Sequence, residues 1–303
     1  MRIGLIDVDG HRWPNLALMK LSAWHKTRGD TVEWWDGFAH YGRVYMSRVF
    51  DDTYSVDEPE PCNADEIVKG GTGYGLQNRL PDAVEHMTPD YGLYGITDTA
   101  YGFLTRGCPR ACPFCIVAEK EGRKARHVAD LSEFWDGQRE IKLLDPNLLA
   151  AENRMELLGQ LADSRALVDF TQGLDARLLT QDNIAALNQV RIKMLHFAWD
   201  SMAQSDAVLS GLALYARYGK LDERRRRVYV LTNYDTTQEE DLYRVYHLRE
   251  MQYDPYVMVY NKPHASRETR RLQRWVNNKF IWRACARFED YNSGGNLREG
   301  ARQ

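Results

Sequence analysis

Residues 101–115 read YGFLTRGCPRACPFC. The run opens on a short apolar and aromatic segment, 101–105, with strand character. It closes on Cys108, Cys112 and Cys115 in the spacing C-x3-C-x2-C. Pro109 and Pro113 disfavour a regular helix through these cysteines, because proline lacks the amide hydrogen and its ring crowds the preceding turn. The reading is a strand that ends in a tight loop, where several thiolates can converge on one centre.

Downstream of this stretch the pattern repeats. Strand-like segments recur at 140–144, 167–171, 192–197, 228–232 and 256–260. Helical stretches fall at about 128–137, 148–163, 178–189, 201–219 and 236–251. Strand and helix alternating at this rhythm imply right-handed crossovers and a parallel sheet. Six such units fit an open doubly wound sheet or an incomplete barrel, and periodicity does not separate the two. Both place ligands at the carboxyl ends of the strands, where the cysteine loop falls.

Upstream, the alternation is shorter. Strands are expected at 3–8, 31–35 and 43–49, with a helix over 16–28 that has Pro14 in its first turn and Gly29 at its end. Ile67 and Val68 lead into Gly70-Gly71-Thr72-Gly73. That cluster has neither the lysine of a Walker sequence nor the spacing of a dinucleotide fingerprint, so it reads as turn geometry. Three regions result: a small α/β layer over 1–97, the repeating units over 98–262, and a basic helical extension over 263–303 that ends in a frayed tail from Ser293.

Charge follows the same division. Residues 1–97 hold 15 acidic and 9 basic side chains, residues 98–262 hold 24 and 22, and residues 263–303 hold 4 and 9. The total of −3 argues against a generic polyanion binder while leaving local basic patches open. With 44% apolar and 27% charged residues the chain has material for a sizeable core. No apolar run approaches a membrane span, and the first ten residues show no secretory pattern. The expectation is a cytoplasmic protein.

Five cysteines, three of them within eight residues, suit a metal site in a reducing compartment better than a disulfide framework. Soft thiolates select iron–sulfur, zinc or copper(I). A structural zinc takes four ligands, and His127 can complete a Cys3His set. Three local thiolates on a four-iron cubane would instead leave one iron open for a small molecule.

The triplet, with the aromatic Phe114 before its last cysteine, resembles the signature of the radical S-adenosylmethionine superfamily. The resemblance covers about residues 98–262. It implies a partial (β/α)6 TIM-like barrel. It also implies that Cys108, Cys112 and Cys115 hold three irons of a [4Fe-4S] cluster whose fourth iron binds S-adenosylmethionine. Reductive cleavage then yields a 5'-deoxyadenosyl radical that abstracts hydrogen from a substrate. An electron donor such as flavodoxin or ferredoxin is implied as a partner, and the substrate is not identified.

Further cofactor contacts are expected at strand ends. Many members carry a glycine-rich run after the second strand; here the place reads LLDPN, so Asp145 and Asn147 stand in its position. After the third strand, Gln172, Asp175 and Arg177 form a polar cluster. Arg177 is suited to a bidentate pair with the methionine carboxylate, and Asp175 either fixes Arg177 or meets a ribose hydroxyl. His196 on the fourth strand reads equally as a cofactor contact or a core histidine, and Asp200 after it as a helix cap. Asn233, after the fifth strand, reads as a turn residue or a contact to adenine or ribose.

The 1–97 region resembles a compact Rossmann-like cobalamin-binding domain. That domain often carries Asp-x-His-x-x-Gly. Here Asp9-Gly10-His11 is followed by Arg12-Trp13-Pro14 with no glycine, so the resemblance implies a degenerate domain that has lost cobalamin. With Cys62 alone in that region, the second cluster of a radical methylthiotransferase is not expected. A cobalamin-dependent radical methylase and a non-enzymatic zinc-stabilised binding module remain the alternatives. The run Arg224–Arg227, expected on a solvated face opposite the active mouth, and the aromatic-interleaved basic segment 267–287 leave nucleic acid open but not favoured as a partner.

Overall fold

The computed structural model describes residues 1–292; the frayed tail expected over 293–303 lies outside the described residues. The protein is α/β, with a four-stranded parallel sheet in its N-terminal part and a six-stranded parallel sheet after it.

The first sheet contains β1 (Arg2–Asp7), β2 (Thr31–Trp34), β3 (Arg43–Ser47) and β4 (Ile67–Gly70), in the order β2-β1-β3-β4. Side chains alternate across it. Ile3, Leu5 and Tyr45 pack with Leu18 and Leu21 of helix α1 (Leu16–Thr27), while Val44 and Met46 face Tyr41 on the other side. Asn15 caps α1 through the amides of Ala17 and Leu18, and its own amide donates to Ser47 Oγ at 2.8 Å. Pro14 therefore lies before the cap rather than in the first turn. The glycine cluster is a packing device. At Gly71 and Gly73 an added Cβ would fall 2.2 Å from the carbonyl oxygens of Arg48 and Phe50.

A short helix α2 (Asp82–Glu85) leads to β5 (Thr99–Gly102), the first edge of the larger sheet. Next come a two-stranded antiparallel ladder, β6 (Thr105–Arg106) with β7 (Arg126–His127), and between them the short helix α3 (Val117–Lys120). The other strands of the larger sheet are β8 (Glu140–Leu143), β9 (Leu167–Phe170), β10 (Ile192–Ala198), β11 (Arg226–Thr232) and β12 (Asp254–Val259). Their spatial order is the chain order, from β5 at one edge to β12 at the other, so the sheet is unclosed. Helices α4 (Arg154–Ser164), α5 (Gln181–Leu187), α6 (Ser205–Tyr218) and α7 (Gln238–Glu250) alternate with the strands, and α8 (Arg267–Asn277) and α9 (Lys279–Ala284) follow β12.

One expected helix fails. Over 128–137 the chain makes only a 3-10 turn at Leu131–Glu133, closed by a capping box between Asp130 and Glu133. Gly137 has a left-handed φ of 84°. The apolar spacing there serves a different contact. Buried Phe134 lies against Gly102, where an added Cβ would sit 2.4 Å from its ring.

The chain divides into two compact units: Met1–Gly173 with Ala185–Lys193, and Leu174–Ile184 with the described residues from Met194 onward. Among the described residues, no helix is long and apolar enough to cross a membrane.

Candidate functional site

In the first unit the cysteine loop is built by Asp145. Two residues beyond the end of β8, its carboxylate accepts the amides of Leu104 at 3.0 Å and Thr105 at 2.6 Å, and the Thr105 hydroxyl at 2.7 Å. These bonds draw the backbone away from β8 after Gly102, so β5 ends before the expected 105. Burial pushes the Asp145 carboxyl up to about 6 against the pull of those donors. Next, Gly107 takes a φ of 87°, and an added Cβ would lie 2.3 Å from Lys124 O. Only glycine fits. The Cys108 amide donates to Gly122 O at 3.1 Å.

Ala111 also adopts a left-handed backbone, with φ of 47°. The Cys115 amide then donates to Cys112 O at 2.9 Å, closing a turn with Pro113 at its second position and Phe114 at its third. A salt-bridged frame holds the loop's flanks: Arg106 meets Glu121 at 2.8 Å and Glu85 at 3.1 Å, and the Gly107 amide donates to Glu121 at 3.2 Å. Cys108 and Cys112 are half-buried and Cys115 is exposed. Phe114 is half-buried.

Asn147 adjoins this loop from the end of β8. Its Nδ2 lies 3.6 Å from Cys108 Sγ, donating toward the sulfur. Its Oδ1 is buried and has no hydrogen-bond partner among the described residues. A buried acceptor in that state costs free energy unless a ligand supplies the donor. Asn147 thus brings a donor to the Cys108 sulfur and a buried acceptor that a ligand N–H can satisfy. Gln172 is exposed on the turn after β9.

Among the described residues no three His, Cys, Asp or Glu side chains form a group able to hold one metal ion. His127 directs Nε2 at Ala129 O, 2.9 Å, and Asp130, 3.2 Å, so joining a Cys3His zinc set would break both contacts. A four-iron cluster makes a different demand, because each thiolate binds its own iron. The soft donor set of the loop suits it.

In the second unit, Asp175 and Arg177 come together. Arg177 Nε and Nη2 meet the two Asp175 oxygens at 2.7 and 3.1 Å, a bidentate pair, and Nη1 donates to Gln204 at 2.6 Å. Of the two roles considered for Asp175, fixing Arg177 is the one seen. His196 is buried and its ring stacks on Tyr229 at 4.8 Å. Asn233 has a left-handed φ of 62° and donates to Tyr260 O at 2.8 Å.

Asp200 does not cap the following turn; Ser201 does, accepting the Ala203 amide at 3.3 Å. Asp200 is instead half-buried, and desolvation pushes its carboxyl up to about 6 despite the nearby Arg244 and Arg177. A carboxyl so poised, beside the Asp175–Arg177 pair, is a site candidate that sequence reading passed over. The signal was weak: an aspartate after a strand looks like a cap.

At the carboxyl end of β1, Asp9 accepts the amides of Val49 at 2.5 Å and Phe50 at 3.2 Å. The His11 ring lies on Trp34 at 4.0 Å. Tyr94 donates to Asp7 at 2.7 Å. No protein family matches the chain, and no curated protein matches it.

Proposed function

We propose that this protein is a radical S-adenosylmethionine enzyme that carries a [4Fe-4S] cluster on Cys108, Cys112 and Cys115 and abstracts hydrogen from a substrate yet to be identified. The observation that carries the reading is Asn147: a donor to Cys108 and an orphaned buried acceptor, at the loop that follows the first strand of a sequentially ordered parallel sheet. When bound, the cluster and S-adenosylmethionine supply the electron transfer and the reactive radical; the chain positions them and excludes side reactions.

The residues divide the work. Asp145 holds Leu104 and Thr105 and so sets the approach to the cysteines. Asn147 Nδ2 donates to the Cys108 sulfur, and Oδ1 offers an acceptor to an ammonium-bearing ligand. Arg177 is held by Asp175, ready for a carboxylate only if that pair loosens. The exposure of Cys115 leaves the loop accessible to an electron donor such as flavodoxin or ferredoxin.

The strand order supports the finer fold reading, a partial barrel. With every strand added beside the last in one direction, right-handed crossovers place all helices on one face. A flat sheet of that kind leaves its other face bare, and curling covers it. We read the N-terminal sheet as Rossmann-like, with β1 and β3 at its topological switch point. A cytoplasmic setting fits the thiolate chemistry.

The test is anaerobic reconstitution, followed by iron and sulfide analysis and dithionite-dependent cleavage of S-adenosylmethionine. About four irons and four sulfides per chain with 5'-deoxyadenosine formation are expected. Cys112→Ala should abolish cleavage while leaving the circular dichroism spectrum unchanged. Stoichiometric zinc without sulfide, or intact cleavage in that variant, would sink the proposal.

A further inference from the structure

The two basic sequence features that the cysteine chemistry leaves unused meet in space. At the amino-terminal ends of β11 and β12 lies a cavity of about 350 Å3, lined by Arg224 and Arg227 from the arginine run, Arg249 of α7, and Lys279 and Arg283 of α9. Glu223, Asp254 and Trp282 complete its wall. Five cations against two carboxylates leave a formal charge of +3 around a space that falls in the size range of small-molecule sites.

The pairing inside the cavity does not neutralise it. Asp254 serves two cations at once: Arg227 reaches one oxygen through Nε at 2.9 Å and Nη2 at 2.8 Å, and Lys279 donates to the other. Among the described residues Arg249 donates to neutral carbonyls, Ala286 O at 2.9 Å and Trp282 O at 3.2 Å, and lies over the Trp282 ring at 4.2 Å. That guanidinium occupies the indole, so a base stacked on the same ring face is not the favoured ligand. Arg224 and Arg283 are exposed at the rim. Burial, with repulsion from Arg227 and Arg283, depresses the Lys279 ammonium more than Asp254 raises it.

The exposed guanidinium groups of Arg224 and Arg283, on a concave space with excess positive charge, match the multiply charged tetrahedral oxygens of phosphate groups. A protein's acidic surface would meet this dish less well, because convex carboxylates on flat ground do not enter it. We infer that the cavity binds a small ligand bearing two or more phosphate groups, with Arg224 and Arg283 closing on it from the rim. The cavity is lined by residues of the second unit alone, and the inference does not depend on the cluster.

Calorimetric titration of the full chain with inorganic pyrophosphate tests it. One saturable site per chain is expected, weakening as salt rises. Arg224→Ala combined with Arg283→Ala should lower affinity at least about tenfold without changing Tm, since both side chains are exposed. Removing the same charge elsewhere, by Arg12→Ala with Arg28→Ala, should leave binding unchanged. Cys112→Ala should also bind as the parent does, which separates failure here from failure of the radical reading. Parallel titrations with a nucleoside triphosphate and a single-stranded oligonucleotide distinguish the source of the phosphates. Nucleotide binding at least as tight as the oligonucleotide's supports a small ligand. Binding of the oligonucleotide alone, no saturable pyrophosphate site, or equal loss in the control variant overturns the inference.

Discussion

The loop after β5 and the turn after β9 follow the first and third strands of the same parallel sheet, yet they use polar groups in opposite ways. After β5, Asp145, Gly107 and the Arg106–Glu121 bridge all act on backbone or flank, and the side chains they position are three sulfurs and an Asn147 oxygen that awaits a donor. In the turn after β9, the prominent polar side chains hold one another: Asp175 caps Arg177 and grips its guanidinium, and Gln204 takes the remaining arm. A loop whose polar groups support the backbone can present chemistry. One whose polar groups pair among themselves mainly presents a shape.

That contrast can be broken most decisively at Gly107. Alanine there would carry both the left-handed penalty and an overlap with Lys124 O, so Gly107→Ala should cost about 3 kcal/mol of stability and deplete iron from the reconstituted protein. Thermal unfolding and iron analysis check it; a stable, fully loaded variant would mean the loop has a second acceptable path. Asn147→Ala probes the ligand side. Losing a hydrogen bond to a charged group costs about 1.5–3 kcal/mol, so cleavage of S-adenosylmethionine should fall roughly tenfold to a hundredfold, with iron content held.

The turn after β9 should answer through stability instead. Asp175→Asn removes the charge from a bidentate pair that is mostly buried, and about 1–2 kcal/mol should be lost in denaturant unfolding. The remaining effect concerns pH. Because the Asp200 carboxyl is raised to about 6 from 3.8, the native state holds a proton that the unfolded chain has released. Its contribution to stability is full below 3.8 and is lost as pH rises to about 6, by at most about 1.4 kcal/mol per pH unit, then stays flat. The stability difference between parent and Asp200→Asn, measured across that window, should show this slope. A difference independent of pH would place the ordinary carboxylate there.

Much of the scaffold was readable because strands announce themselves. Runs such as 228–232 and 192–197 are rich in β-branched and apolar residues, and most expected strands are observed within one or two residues at their ends, while β5 begins two residues earlier and stops three residues short of the expected 101–105. The failed helix over 128–137 shows where periodicity misleads. Leu131 and Phe134 have helical spacing, but Phe134 is placed by the missing side chain of Gly102, a contact that local pattern does not encode. Likewise, four consecutive arginines look like one solvated face. Strand geometry separates them: Arg226 is buried against Gln252 O at 2.9 Å, Arg227 turns to Asp254, and the preceding pair stays outside.

The chain's own pattern thus settled the alternation of strand and helix, the parallel sheets and the position of the cysteine loop at a strand end. These follow from local periodicity and from backbone rules that proline and glycine impose wherever they occur. Folding in three dimensions decided which carboxylate shapes that loop, that Asn147 meets Cys108, that Arg177 is already partnered, and that Arg224 and Arg283 share one cavity. Hydrogen bonds and charge pairs act over a few ångströms, and residues 39 or 59 positions apart reach that distance only once the sheet has brought them there.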